Sequence, residues 1–116
     1  MLLTSSLSAF AQDARLEHFE KKVRPVLAAN CYACHSKTAA PPQGGLFLDS
    51  SSAMQRGGNS GALLLAGEPD RSLLVRALRH TDKSLKMPPG KPLPAETIAD
   101  IEQWIRDGAL DRKSVV

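Results

Sequence analysis

The stretch Cys31-Tyr32-Ala33-Cys34-His35 (CYACH) organises the rest of this chain. Two cysteines separated by two residues and followed at once by a histidine form the attachment signature of a c-type haem. Each thiol adds across one vinyl group of the same porphyrin, so both sulfurs have to project from one short turn. His35 then lies beneath the iron, where an imidazole nitrogen can be the proximal axial ligand. The motif therefore predicts covalent haem on Cys31 and Cys34, with His35 bound to the iron.

A C-x-x-C pair also occurs in zinc sites and in redox dithiols. A zinc site needs four ligands, and the sequence has no second cysteine pair and no H-x₃₋₅-H downstream. A thioredoxin-like dithiol accompanies a βαβ pattern, which this sequence lacks. A disulfide between Cys31 and Cys34 would close too short a loop to stabilise the fold. We therefore favour haem attachment and keep zinc binding and redox chemistry as the alternatives.

Length and composition limit the chain to one small domain. It has 116 residues, of which 42% are hydrophobic and only 4% aromatic, and so small a core is marginally stable alone. A covalently held porphyrin would supply the missing apolar volume. The 15 basic and 12 acidic residues give a formal net charge of +3, which two haem propionates would reduce to about +1. That charge is too small and too dispersed for a nucleic-acid-binding surface, so we expect no nucleic-acid partner.

Residues 1–11, MLLTSSLSAFA, carry no charged side chain and end in an A-x-A pattern. They are predicted to be a signal peptide, with Gln12 as the mature start. The segment lacks a basic beginning and its apolar run is short, which indicates a truncated leader; a disordered N-terminus is the alternative. No stretch is long enough to span a bilayer. Because haem c is attached outside the bacterial inner membrane, we expect a periplasmic or otherwise exported protein.

A first helix is predicted from Asp13 to about Asn30, because apolar residues recur at three- and four-residue steps. Pro25 is expected to kink this helix or to end its regular hydrogen bonding. His18 is expected at its surface or boundary rather than at the iron. The apolar side is formed by Leu16, Phe19, Val23 and either Val26 or Leu27.

Three further helices are predicted, and neither a strand pattern nor a repeat occurs. The first covers residues 50–56, with Ser50 or Ser51 as N-cap and glycines as its stop. The second covers 70–79, with Asp70 as N-cap. The third covers 95–107 and is followed by a C-terminal glycine, Gly108. The predicted fold class is all-α, with Leu63, Leu64 and Leu65 as expected haem or core contacts.

The sixth ligand of the iron is predicted to be Met87. Its thioether is a soft donor that suits low-spin iron, and the two following prolines restrict its backbone. His80 is the main alternative, whereas Met54, on a predicted helix, is the weakest candidate. The second ring nitrogen of His35 is expected to donate to a backbone carbonyl, that of Pro41 or Pro42.

In this order of elements the chain resembles a class I cytochrome c, and more closely a planctomycete-type cytochrome c domain. The resemblance covers nearly everything from Leu16 to Ala109. The matching stretches are FEKKVRPVL (19–27), CYACHS (31–36), GGLFLD (44–49), GGNSG (57–61), GEPDRSLL (67–74), KMPP (86–89) and WIRDGA (104–109).

The resemblance implies a small class I cytochrome c-like fold over residues 12–110. In such a fold the N- and C-terminal helices cross around one covalent haem c, with His35 and Met87 as axial ligands. The residues of that crossing would be Phe19, Val23, Ile101, Trp104 and Ile105. Because the family's domain usually opens a longer protein, residues 111–116 are expected to be a tail or the start of a linker.

The implied function is one-electron transfer by a carrier or a relay domain that is not itself an enzyme. A haem enzyme or gas sensor with a displaceable distal ligand is the alternative. We expect a monomer or a module of a larger protein, with redox proteins as partners. Those partners would be acidic where they meet the lysines expected near the haem edge, which are Lys37, Lys83, Lys86 and Lys91.

Overall fold

Helices make up the regular structure in the computed structural model, which describes residues 2–32, 34–36 and 43–111. Within those ranges no strand occurs apart from an isolated bridge between Gly58 and Gly61. The all-α prediction is therefore confirmed for this part of the chain. The elements are α1 (Leu2–His18), a π-helical segment (Phe19–Val23), α2 (Arg24–Asn30), a 3₁₀ turn (Gln43–Gly45), α3 (Ser51–Arg56), a 3₁₀ turn (Pro69–Arg71), α4 (Leu73–Leu78) and α5 (Ala95–Arg106).

The first helix begins earlier than the sequence analysis predicted. Its start was expected at Asp13, but α1 begins at Leu2. Residues 2–12 contain neither glycine nor proline, so nothing in them opposes a helix that is already formed further along the chain. The segment predicted as a signal peptide is thus helical from Leu2 onward, and its role as a leader stays a prediction.

Pro25 interrupts the regular hydrogen bonding of this helix without ending it. A proline inside a helix removes one N–H donor and crowds the preceding turn. The wider π-helical turn before it accommodates this change, with the amide of Arg24 donating to the carbonyl of Phe19, five residues back. The chain therefore stays helical to Asn30 and delivers Cys31 at the end of α2.

The π-helical segment packs against α5. The rings of Phe19 and Trp104 lie with their centroids 5.1 Å apart, and the indole N–H of Trp104 donates to the Leu110 carbonyl at 2.8 Å. His18 lies at the boundary of this contact, as predicted, and its Nε2 bonds the Asp100 carbonyl at 2.8 Å. The buried residues shared by the two elements are Phe19, Val23, Ile101, Trp104 and Ile105.

The short helix α3 has the predicted N-cap and stop. The hydroxyl of Ser50 accepts the amide proton of Ala53 at 3.1 Å. Gly57 ends the helix at a positive φ of 77°, and a Cβ built there would overlap the backbone of Gly61. Only glycine fits that turn.

The prediction that Asp70 caps the next helix is wrong. Residues Pro69–Arg71 form a 3₁₀ turn, and α4 begins only at Leu73, after Ser72. The carboxylate of Asp70 instead accepts from Arg79 at 2.9 Å, near the other end of α4. The last helix agrees with its prediction to within one residue, ending at Arg106 with Gly108 at a φ of 107°.

Asp111 belongs to the packed part of the protein rather than to a tail. Its side chain is 3% exposed, and its carboxylate accepts the amide proton of Ser51 at 2.6 Å, at the start of α3. The hydroxyl of Ser51 donates to the Ala109 carbonyl at 2.6 Å. The ordered contacts therefore continue to residue 111, and residues 112–116 lie outside the described part.

Candidate functional site

An apolar cavity opens between the end of α2, the segment 46–48, α4 and the loop at residues 87–89. It encloses a volume of about 80 Å³. Leucine is the commonest residue in its wall, as Leu46, Leu48, Leu63, Leu74 and Leu78. The four predicted site residues also line it: Cys31, Cys34, His35 and Met87.

A second cavity, of about 150 Å³, adjoins the first. Five residues line both cavities, so we treat the two as one crevice; they are His35, Leu46, Leu63, Ala77 and Met87. In the second cavity the wall includes the loop 58–61, which contributes Asn59 and Ser60. Both parts of the crevice are therefore mainly apolar, and Asn59 and Ser60 add polar side chains at this loop.

The backbone of the motif forms one tight turn that continues α2. The amide of Cys31 donates to the Leu27 carbonyl at 2.9 Å, and the Cys31 carbonyl accepts the amide of His35 at 2.9 Å and that of Cys34 at 3.2 Å. The carbonyl of His35 accepts the amide of Leu48 at 2.8 Å. These bonds bring the thiols and the imidazole to one end of the crevice and join the motif to the leucine-lined wall.

The two thiols differ in their surroundings. Cys31 is half-buried and Cys34 is exposed, and no disulfide joins them. Burial raises the pKa of the Cys31 thiol to about 11, with a smaller contribution from the neighbouring Cys34. A redox dithiol instead depends on a cysteine whose pKa is lowered toward neutrality. The environment of Cys31 therefore argues against the redox-dithiol alternative.

Zinc binding at the motif would need a cluster of four ligands. Among the described residues, no group of three or more His, Cys, Asp or Glu side chains could hold a metal ion. Cys31, Cys34 and His35 come from one turn, and the remaining wall of the crevice is carbon-rich.

Met87 is 39% exposed, and it lines both parts of the crevice. Its amide donates to the Ala77 carbonyl at 3.1 Å, which holds the methionine loop against the end of α4. Pro88 and Pro89 continue the same wall. A thioether and an imidazole, from two segments far apart in sequence, thus border one apolar space.

The alternative ligands lie elsewhere. Met54 is fully buried in the hydrophobic core, and it is not among the described residues that line the crevice. His80 does not line it either, and its Nε2 bonds the Pro88 carbonyl at 3.0 Å. Neither residue offers a free donor atom to the space that His35 and Met87 share.

The lining fits a covalently attached haem. A porphyrin has an apolar macrocycle and two carboxylates, and the crevice offers a mainly apolar wall with Asn59 and Ser60 at the loop 58–61. The thiols lie at the leucine-lined part, as vinyl attachment requires. Cys31 and Cys34 would hold the group, while His35 and Met87 would supply nitrogen and sulfur donors to its iron.

Sequence reasoning missed three parts of this site. It assigned no role to the loop 58–61, to the carbonyl of Ala77 or to the bond from His80. The signal for the loop was the glycine spacing in GGNSG, because Gly58 packs too closely on Gly44 for any side chain to fit. The other two are tertiary contacts without a sequence signature.

Two predictions cannot be compared with the structure. Pro41 and Pro42, expected to accept from His35, lie outside the described residues, and so does Lys37.

Within the described part, no helix is both long and apolar enough to cross a membrane.

Comparison with known proteins identifies one family. The family model described as Planctomycete cytochrome C matches residues 31–91, just over half of the 116 residues. The matched segment starts at Cys31 and includes Cys34, His35 and Met87. No curated protein and no solved structure matches the chain.

Proposed function

We propose that this chain, which belongs to the planctomycete cytochrome C family, is a one-electron carrier or relay domain with a His35- and Met87-ligated haem c. Membership of the family implies a covalent haem and a part in electron transfer. The ligand pair and the relay role are our proposal, together with a class I cytochrome c-like arrangement in which α5 packs across the first helix.

One observation carries this proposal: His35 and Met87 line the same crevice, with both thiols at its wall. The group that such thiols hold supplies an iron that cycles between the ferric and ferrous states. A soft thioether donor raises the reduction potential relative to a second imidazole. The leucines around the crevice limit the access of water and keep the local polarity low, which favours the less charged state.

The residues around the crevice favour a carrier over an enzyme or a sensor. Catalysis at a distal position needs an acid or base within hydrogen-bond reach of the substrate. Among the described residues of the lining, the only titratable groups are Cys31, Cys34 and His35. In this proposal each of them serves haem attachment or iron ligation.

The basic side chains of Arg79 and His80, which precede the methionine loop, are committed elsewhere. The guanidinium of Arg79 bonds Asp70 at 2.9 Å and lies 3.5 Å from Glu102. The imidazole of His80 bonds the Pro88 carbonyl. Neither group is left to deliver a proton at the iron.

Lysines beside the methionine loop offer a surface for redox partners. Lys83, Lys86 and Lys91 are exposed on the segment that carries Met87. We infer that they form a positive rim, which attracts an acidic partner to the edge where the electron leaves. Periplasmic or other export is part of the same proposal, because domains of this kind are typically exported.

A carbon monoxide titration of the haem-loaded ferrous protein tests the carrier role. We expect slow and incomplete binding at neutral pH, because Met87 has to leave the iron first, and ready binding in Met87→Ala. A redox titration of the same sample should show a single one-electron transition. Fast, stoichiometric binding by the unmutated protein would favour the sensor or enzyme class instead.

A further inference from the structure

We propose that His80 is a positioning residue for the axial methionine: its imidazole holds the carbonyl of Pro88 and so determines how readily Met87 leaves the iron. This inference rests on the proposed function and extends it. It assigns a role to a side chain that borders neither part of the crevice.

The first support is a pair of backbone bonds at the end of α4. The Ala77 carbonyl accepts the amide proton of Met87 at 3.1 Å and that of His80 at 3.3 Å. The turn that contains His80 and the loop that contains Met87 therefore meet at one carbonyl. Movement of either segment therefore disturbs the hydrogen bond that the other makes to Ala77.

The second support is the side-chain bond. His80 Nε2 lies 3.0 Å from the Pro88 carbonyl oxygen, across eight residues of sequence. A carbonyl only accepts, so Nε2 carries the proton and donates it. Together with the amide bond of Met87, this bond holds the loop on both sides of the methionine side chain. Met87 cannot swing out through movement of the 87–88 segment while both bonds are intact.

The third support is the backbone of His80 itself. Its φ is 56°, in the left-handed region that few residues other than glycine adopt, with asparagine, aspartate and histidine the commonest exceptions. Glycine is common in this conformation just after a helix, and α4 ends two residues earlier, at Leu78. A histidine in this position is conformationally costly. The histidine side chain adds an imidazole that reaches Pro88, which glycine would lack.

The loop between His80 and Met87 makes few other stabilising contacts. The described bonds of residues 81–86 are mainly local, with Asp82 accepting from Ser84 and from the amide of Leu85. An ion pair between Arg76 and Asp82, at 3.6 Å and exposed on both sides, adds little. The hydrogen bond from His80 to Pro88 is therefore one of the main contacts that hold the loop carrying Met87 in place.

Displacement of Met87 from the ferric haem protein by imidazole tests this role. The displacement is followed as loss of the sulfur-to-iron charge-transfer band. At saturating imidazole, its rate reports the opening of the methionine loop. We compare His80→Asn, which tolerates the left-handed backbone but ends one bond short of Pro88, with His80→Gln, whose amide nitrogen can reach the carbonyl. The matched control is His18→Asn, which removes a similar bond, to the Asp100 carbonyl at 2.8 Å, from a different helix contact.

We expect His80→Asn to open about two- to tenfold faster than the unmutated protein, the factor that the net contribution of one hydrogen bond is worth. His80→Gln should restore most of the original rate, and His18→Asn should leave it unchanged. Amide hydrogen exchange at Met87 should speed up in His80→Asn alone, a second readout that does not depend on imidazole.

The outcomes separate this inference from the proposed function. An unmutated protein with the charge-transfer band, together with equal opening rates in His80→Asn and His18→Asn, would overturn the inference and leave the function standing. A band that persists in Met87→Ala would show that another methionine supplies the sulfur and would overturn both. Absence of the band in the unmutated protein would also overturn both.

Discussion

The aromatic rings of Phe19 and Trp104 lie with their centroids 5.1 Å apart and at 30° to each other. Phe19 comes from the π-helical segment and Trp104 from α5, so this contact joins the two ends of the described chain. Residues Val23 and Ile105 lie fully buried in the same two elements. The motif at the end of α2 is therefore held in place by a contact made more than ten residues before it.

Trp104→Ala should lower the free energy of unfolding by about 3–5 kcal/mol, since it removes a buried aromatic side chain and leaves a cavity. Chemical denaturation of the haem-loaded protein measures this loss. Lys22→Ala is the control, because Lys22 is exposed on the π-helical segment, and its effect should stay within about 0.5 kcal/mol. Equal effects of the two substitutions would show that the first and last helices do not pack as described.

Asp111→Ala should also destabilise the protein, by about 1–3 kcal/mol, because it leaves the buried amide of Ser51 without its 2.6 Å acceptor. Asp111→Asn should cost less, since an amide oxygen still accepts. The same denaturation experiment compares the two variants. If both retain the stability of the unmutated protein, Asp111 is part of a tail, as the sequence analysis first held.

Cys31→Ala combined with Cys34→Ala should abolish covalent haem. Denaturing electrophoresis with haem staining is the measurement, using protein matured in cells that attach haem c. The unmutated chain should carry the stain at its own position, and each single variant should carry less of it. The double variant should also fold poorly, because the leucine-lined crevice then lacks its apolar filling. Covalent haem in the double variant would contradict attachment at these thiols.

Charge reversal at Lys86 and Lys91 should slow electron transfer to an acidic acceptor protein. The positive rim increases the encounter rate at low ionic strength, and salt screens that attraction. Stopped-flow rates as a function of salt test it, with the largest difference at low salt. Lys22→Glu is the control, because Lys22 is exposed on the π-helical segment, which contributes no side chain to the crevice. Identical low-salt rates for all variants would show that these lysines do not steer the partner.

How far the sequence predicts this molecule depends on how local each determinant is. The C-x-x-C-H motif was predictable because covalent attachment to one porphyrin requires that spacing. The Ser50 cap and the Gly108 terminus were predictable because each acts within one helical turn. Such features need no knowledge of the tertiary structure.

The features that sequence reasoning missed depend on tertiary contacts or on competition between equivalent residues. Asp70 and Ser72 are both good N-cap types, and the 3₁₀ turn at Pro69–Arg71 decides against Asp70. Burial of Asp111 depends on α3, sixty residues earlier. The bond between His80 and Pro88 spans a loop without any periodic pattern.

The central claim is that Met87 is the sixth ligand of the iron, opposite His35. The absorption spectrum of the ferric protein in the far-red region tests it most directly, because a methionine–iron bond gives a weak sulfur-to-iron charge-transfer band there. We predict that the unmutated protein and Met54→Leu show this band and that Met87→Ala lacks it. Met87→Ala should also have a lower reduction potential, since loss of the soft donor favours the ferric state. A band that persists in Met87→Ala and vanishes in Met54→Leu would contradict the account.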